Sequence, residues 1–436
     1  MIYAFILGRI FTLSVAELLN VFERENIDYE ILASSAEILI VEMAKPIKNE
    51  QAFLDNLGGI VKIIEVFGEE NKASSLANVL TADKLINRYP NIKREIENIP
   101  SPKFYWGLSV YFICNADLHK KQKIAKKIQS YMFGAKEILR ERLIKCRVVT
   151  PPPNKFALDA PNVEKNNLIK KGGEIVVIVD KEKIYWGKTR AIQNFRFYGL
   201  RDFGRPARSM KIGMMPPKLA QIMINLTQSP KGREILDPFC GTAVVLQEAM
   251  LMGHSVIGAD SDNSTIALAK ENLEWLAETV KRKNPLSAIS KEMFRLFQAD
   301  AMQIAKTIPS NSISAIVTEG TLGPRYSRAF PSGKQIIDNF KNLEKLYLGA
   351  FAQFKEILKK DGRIVISFPV YVFKGARQEF VPFLDKIAQL GYNIKSPIKA
   401  DRIKDIPLFT LSKNGTIVYS RPDQIVGREI VVFIKK

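Results

Sequence analysis

Short apolar runs recur along the 436-residue chain, but the spacing between them changes near residue 230. Before that point strands and helices alternate irregularly. YAFILG (3–8) reads as a strand and VAELLNVFER (15–24) as a helix with apolar positions at helical spacing. YEILASSAEILIVEM (29–43) predicts a strand pair around a Ser-Ser turn, and GGIVKIIEVFGE (58–69) a further strand. This order suits a small ferredoxin-like α+β unit over 1–75. The polar, proline-bearing stretch Asn87–Pro102 predicts a linker. FYWGLSVYF (104–112) then reads as a strand, HKKQKIAKKIQSYMF (119–133) as a basic helix, TPPPN (150–154) as a loop, and 172–189 as two strands around a charged turn.

Beyond residue 230 the apolar strands EILDPF, SVIGAD, FRLFQAD, ISAIVTE and RIVISFPV are separated by helical stretches such as 243–252 and 263–283. In the second of these helices Ile266, Ala269, Leu273 and Leu276 form one stripe, and Asp262 or Ser264 can cap its start. Regular β–α alternation with buried strands predicts an α/β fold with a parallel, doubly wound sheet. Ligands of such sheets lie beyond the carboxyl ends of the strands.

Charge adds a partner to this picture. The formal net charge is +20, unevenly spread: residues 1–100 hold 10 Lys and Arg against 15 Asp and Glu, whereas 101–200 hold 20 against 8. Lys120, Lys121, Lys123, Lys126 and Lys127 cover more than one face of the basic helix, an arrangement suited to several phosphates. The aromatics of the middle segment are expected mainly in its core. Cys114, Cys146 and Cys240 are too few and too scattered for a disulfide framework or a zinc site, which points to a reducing cytoplasm and no metal. No run of eighteen uncharged apolar residues predicts a membrane span, and MIYAFILGRIF reads as a buried strand rather than a signal peptide. His119 and His254 read as surface residues.

Three strand ends carry carboxylates. The first strand ends at Asp237 and continues Pro238-Phe239-Cys240-Gly241-Thr242-Ala243 into a helix. Gly241 allows a tight turn and close backbone approach, but the dinucleotide fingerprint and the P-loop lysine are both missing. The second strand ends at Asp260 and the third at Asp300. An acid beside a glycine turn suits a cationic amino-acid group, an acid at the second tip suits ribose hydroxyls, and one at the third suits an adenine amine. Each alone would read as a helix cap; together, in order, they fit S-adenosylmethionine.

With these features, RDFGRPARSMKIGMMPPKLAQIMINL (201–226) and LDPFCGTAVVLQEA (236–249) resemble the archaeal-type tRNA guanine-N2 methyltransferase family, as do FYWGLSVYF, IYWGKTRAIQ and YSRPDQIVGREIVVF. The resemblance implies a ferredoxin-like domain over 1–75, a THUMP RNA-binding domain over 76–195 that grips the acceptor end of tRNA, and a Rossmann-like seven-stranded methyltransferase domain over 196–436. It further implies S-adenosylmethionine as cofactor, tRNA as partner, a guanine exocyclic amine as target, usually at tRNA position 10, and Met215 and Pro216 at the border of the cofactor pocket.

One motif departs from that family. After the fourth strand the family carries Asp-Pro-Pro-Tyr and then Gly; this chain carries Glu319, Gly320, Thr321 and Leu322, then Gly323. The family's carboxylate and proline carbonyl draw the hydrogens of a planar amine, while its ring stacks on the flipped base. Glu319 keeps an acceptor on a longer arm, Gly320 keeps a carbonyl without a fixed φ, and Leu322 covers a base without a ring, with Tyr326 or Phe330 as substitutes. Three readings follow: a transferase with a changed base, position or rate; a fold that binds RNA and cofactor without transfer; and a DNA amino-methyltransferase, against which the THUMP-like segment argues.

Overall fold

The chain builds two sheets, and the sequence pattern that changes near residue 230 marks the passage from one to the other. The computed structural model describes residues 1–71, 104–114, 116–141, 145–208, 215–283, 289–324, 326, 330–373, 378–421 and 424–436. The linker expected over 87–102 lies outside these residues, as do 209–214 of the RPAR-to-MMPPKLA stretch.

The first sheet contains β1 (Ile2–Leu7), β2 (Tyr29–Ser34), β3 (Ile38–Met43), β4 (Ile60–Asn71), β5 (Phe104–Phe112), β6 (Cys146–Val149), β7 (Gly172–Val179) and β8 (Lys183–Ile192), in the order β2-β3-β1-β4-β8-β7-β5-β6. The expected units 1–75 and 76–195 thus share one continuous mixed sheet, joined where β4 runs antiparallel to β8. A buried polar knot ties this seam. Lys62 on β4 donates to Glu174 on β7 at 2.6 Å and to the Leu158 carbonyl at 2.6 Å; Ser109 on β5 and Thr189 on β8 donate to the same carboxylate. A buried ion pair offsets its desolvation only with further hydrogen bonds to both charges, and here Ser109, Thr189 and the Leu158 carbonyl supply them. The 118–141 helix buries Ala125, Ile128, Met132, Ala135 and Leu139 against the sheet. Trp106 and Trp186 are core residues.

The second sheet contains β9 (Glu234–Asp237), β10 (Ser255–Asp260), β11 (Phe294–Gln298), β12 (Ile313–Glu319), β13 (Leu358–Val372), β14 (Gln378–Phe380), β15 (Tyr392–Lys395), β16 (Ile417–Tyr419) and β17 (Val426–Lys435). Its main path is β11-β10-β9-β12-β13-β17-β15, with β14 edging β13 and β16 edging β17. The first five strands of the path are parallel and β17 is antiparallel. The chain moves outward from β9 to β11 and then returns to the other side of β9 as β12. That reversal is the topological switch point, where open α/β sheets form a crevice.

The two sheets are locked together. Glu17, in the 11–24 helix, accepts from the Gly58 and Gly59 amides at 2.8 and 2.7 Å and from Asn225 of the 217–226 helix at 2.8 Å. One apolar cluster runs from Tyr3 and Phe22 through Leu219 to Val432. The 195–203 helix adds Arg201, paired through two hydrogen bonds with the buried Glu248 at 2.6 and 3.0 Å. His254 corrects the surface expectation: Gly253 (φ 86°) turns the chain inward, leaving His254 1% exposed with Nδ1 3.1 Å from the Arg233 carbonyl. Burial pushes its pKa down to about 4. His119 is exposed.

Candidate functional site

The local folding of 237–243 follows from its sequence. β9 ends at Asp237, and two left-handed residues, Gly241 (φ 50°) and Ala243 (φ 67°), turn the chain sharply into the 244–251 helix. The Cys240 amide donates to the Ala259 carbonyl at 2.9 Å, and the Gly241 amide to Asp260 Oδ2 at 3.1 Å, so the turn leans onto the tip of β10. The buried Thr242 is held through its carbonyl by Asn272 Nδ2 at 2.9 Å. Cys240 is buried and its thiol pKa is raised, chiefly by burial, which makes it a packing group.

Asp237, Asp260 and Asp300 stand at the ends of the adjacent strands β9, β10 and just past β11. Asp237 is 2% exposed and accepts at Oδ1 from Thr318 Oγ1 (2.6 Å) and the Phe239 amide (3.1 Å). Burial pushes its pKa up to about 7; Thr318 and the Phe239 amide oppose the rise, while the charges of Asp260 and Glu319 add to it. Asp260 spends one acceptor position of each oxygen on the Gly241 and Asp262 amides, at 3.1 and 3.0 Å. A carboxylate has about four acceptor positions, so Asp260 keeps two for a ligand. Asp300 caps the short helix that follows it, accepting from the Met302 amide at 2.8 Å. Asp262, just before the 263–283 helix, accepts from the Ser264 amide. The buried Met215 joins the same apolar cluster as Cys240 and Ala243, with Pro216 as N-cap of the 217–226 helix.

The loop after β12 is held by tertiary contacts that its sequence does not announce. Glu319 forms a bidentate ion pair with Arg428 of β17: Nη2 donates to Oε1 at 2.8 Å and Nε to Oε2, and Ser367 adds a bond to Oε2 at 2.9 Å. Both charged side chains are over nine-tenths buried. Three of the carboxylate's acceptor positions are therefore filled, leaving one on Oε1. Gly320 is obligatory for space, because an added Cβ would lie 2.3 Å from the Tyr347 hydroxyl. That hydroxyl donates to the Thr321 carbonyl at 3.0 Å, and Asn339 reaches the Leu322 carbonyl at 3.4 Å and the Tyr371 hydroxyl at 2.9 Å. Gly323 (φ 92°) completes the turn, its added Cβ striking Asn339. Leu322 is half-buried; Tyr326 lies edge-on to Tyr371, and Phe330 packs on Phe373 at 4.2 Å.

Lys120, Lys123, Lys126 and Lys127 are exposed on the 118–141 helix, whereas Lys121 is half-buried over the Phe112 ring at 5.7 Å. Among the described residues no cluster of His, Cys, Asp and Glu could hold a metal ion, and no helix is long and apolar enough to cross a membrane. Sequence reasoning missed Arg428, Ser367, Tyr347 and Asn339. Of these only Arg428 lies in a stretch that resembles the family, YSRPDQIVGREIVVF, and nothing local to it signals a partner 109 residues away.

Residues 205–373 match the RMKL-like methyltransferase-domain family. A tRNA (guanine(10)-N2)-dimethyltransferase of Methanothermobacter thermautotrophicus is 32% identical over 160 residues, 37% of this chain and 40% of that protein. A probable tRNA (guanine(10)-N2)-dimethyltransferase of Methanothermococcus thermolithotrophicus is 30% identical over 155 residues, 34% of this chain and 78% of that one. The chain thus matches less than half the length of the first relative and over three quarters of the second. The fold of TrmN from Thermus thermophilus superposes over 100% of both chains with a TM-score of 0.51 at 13% identity.

Proposed function

The chain belongs to the tRNA (guanine(10)-N2)-dimethyltransferase family, and from that premise we propose that it transfers methyl groups from S-adenosylmethionine to the exocyclic amine of a guanine in tRNA. The observation that carries this reading is the row Asp237, Asp260, Asp300 on adjacent strand ends at the switch point, with the 319–323 loop on the next strand. The residues fit the cofactor in charge and valence. Asp237 is a buried carboxylate that a cationic ligand would return to its ionised form. Asp260 has two acceptor positions left for ribose hydroxyls, and Asp300 receives the adenine amine. Pro238, Cys240, Gly241 and Thr242 form the turn against the ligand, and Met215 with Pro216 its border. When bound, S-adenosylmethionine supplies an electrophilic methyl carbon with a neutral thioether as leaving group.

On the substrate side, Leu322 covers the base. The amine's hydrogens are drawn by the Gly320 carbonyl and by the one acceptor position that Arg428 and Ser367 leave on Glu319. In place of the family's prolines, Tyr347 and Asn339 hold the loop carbonyls, so the geometry is set before substrate arrives. We assign residues 1–75 to a ferredoxin-like domain, 76–195 to a THUMP domain that holds the tRNA through the exposed lysines, and 196–436 to the methyltransferase domain, acting in the cytoplasm. The Arg428 clamp favours one rival, a protein that binds RNA and cofactor without turnover. Incubation with methyl-labelled cofactor and unmodified tRNA transcripts, followed by nucleoside mass spectrometry, tests the proposal. Label on guanine N2, lost in Asp260→Ala, is expected. Cofactor binding with no label in any tRNA supports the rival, and faster labelling of duplex DNA overturns the substrate assignment.

A further inference from the structure

A cleft of about 430 Å³ lies where the first sheet, the 195–203 helix, the 216–219 segment and the tip of β16 meet. We propose that it holds an unpaired nucleotide of the RNA substrate next to the target base, an inference that rests on the RNA methyltransferase reading above. Its position makes the link. Tyr419, which lines the cleft, is the residue of β16 directly opposite Arg428 on β17, and Arg428 grips Glu319 at the end of β12. The cleft and the transfer loop therefore open at the same end of the second sheet.

The lining has the chemistry of a nucleotide site. Arg9, Lys218 and Arg421 face it against a single carboxylate, Asp202, an excess suited to a phosphodiester. Phe203 on its wall is 67% exposed, so its ring face is open to a stacking partner. The Arg208 guanidinium lies 5.4 Å from that ring, and such aromatic–cation platforms stack bases without regard to sequence. The volume falls in the range of small-ligand pockets. The cofactor carboxylates Asp237, Asp260 and Asp300 do not line it; of the expected cofactor border only Pro216 does. Because separate parts of the chain from both sheets form the walls, the cleft exists only while the two sheets are docked. Glu17, bridging Gly58, Gly59 and Asn225, maintains that docking.

Gly199 offers a clean test. It lines the cleft within the 195–203 helix, and an added Cβ meets nothing within 4 Å, so the cleft wall has room for a side chain at this position. Replacing a helical glycine also favours the helix. Gly199→Leu and Phe203→Ala are compared with the wild type for affinity to an unmodified tRNA transcript by fluorescence anisotropy, and to S-adenosylmethionine by calorimetry. Each substitution is expected to weaken tRNA binding about 5- to 100-fold, to leave cofactor affinity unchanged and not to lower Tm. RNA affinity within twofold of wild type overturns the proposal, and so does a parallel loss of cofactor affinity, which would place the cleft in the cofactor site. RNA affinity is read without turnover, so failure of the methyltransferase reading would show separately, as wild-type protein that binds tRNA but leaves it unlabelled.

Discussion

Replacing Asp237 by Asn should stabilise the ligand-free protein while abolishing cofactor binding. The carboxylate is buried and its pKa stands at about 7 rather than 3.8. A group whose folded-state pKa lies above its unfolded value binds more protons when folded. Its contribution to stability is full below about pH 4, falls as pH rises toward 7, and is flat beyond. A tenfold change in proton affinity between the folded and unfolded chain corresponds to about 1.4 kcal/mol. The ionisable side chain therefore costs the apo protein roughly 4 kcal/mol at pH 8 and about a third of that at pH 5. Asparagine keeps a carbonyl oxygen for Thr318 and the Phe239 amide, and carries no charge against Asp260 and Glu319. Urea unfolding of wild type and Asp237→Asn at pH 5 and pH 8, with calorimetric titration of S-adenosylmethionine, measures both effects. The variant should gain stability at pH 8, gain less at pH 5, and lose the ligand. A variant less stable than wild type at pH 8, or equally stabilised at both pH values, would refute the argument that burial of this carboxylate sets its protonation.

Arg428→Gln leaves Glu319 buried and uncompensated and should cost about 3–5 kcal/mol in denaturant unfolding, most of it recovered in the Arg428→Gln/Glu319→Gln double variant; additive losses would deny the coupling. Gly320→Ala drives a methyl group against the Tyr347 hydroxyl and should destabilise by about 1–3 kcal/mol, less in a Tyr347→Phe background. The same clash predicts that restoring Asp-Pro-Pro-Tyr at 319–322 yields a poorly folded protein unless Tyr347 is also reduced, checked by Tm. Alanine at Lys120, Lys123, Lys126 and Lys127 together should weaken tRNA binding and flatten the salt dependence of log K by up to about 3 units; an unchanged slope would move the RNA surface elsewhere.

Much of the second sheet was legible in sequence because parallel, doubly covered strands announce themselves as short apolar runs between helices. The pattern located SVIGAD, ISAIVTE and the 263–283 helix at their observed bounds. It passed over the 333–357 helix, whose apolar stripe sits among many charges, and the antiparallel return of β17, which only a resembling stretch marks. Seven of the first sheet's eight strands were read, β6 being passed over, and the sheet's continuity across β4 and β8 was not, because strand pairing depends on register between segments more than a hundred residues apart. His254 was misplaced for a related reason: a polar residue after a glycine reads as surface until the fold closes over it.

By itself, the sequence determined the α/β alternation, the acidic strand ends and the basic helix, since periodicity, turn chemistry and charge are local properties of a chain. Tertiary structure alone decided what the altered loop can do. It brought Arg428 onto Glu319 and set Tyr347 into the space a proline would fill. Local pattern cannot encode which distant side chain occupies an acceptor position or a few cubic ångströms beside a strand end. Close packing settles both, and with them how much of the carboxylate remains for a substrate.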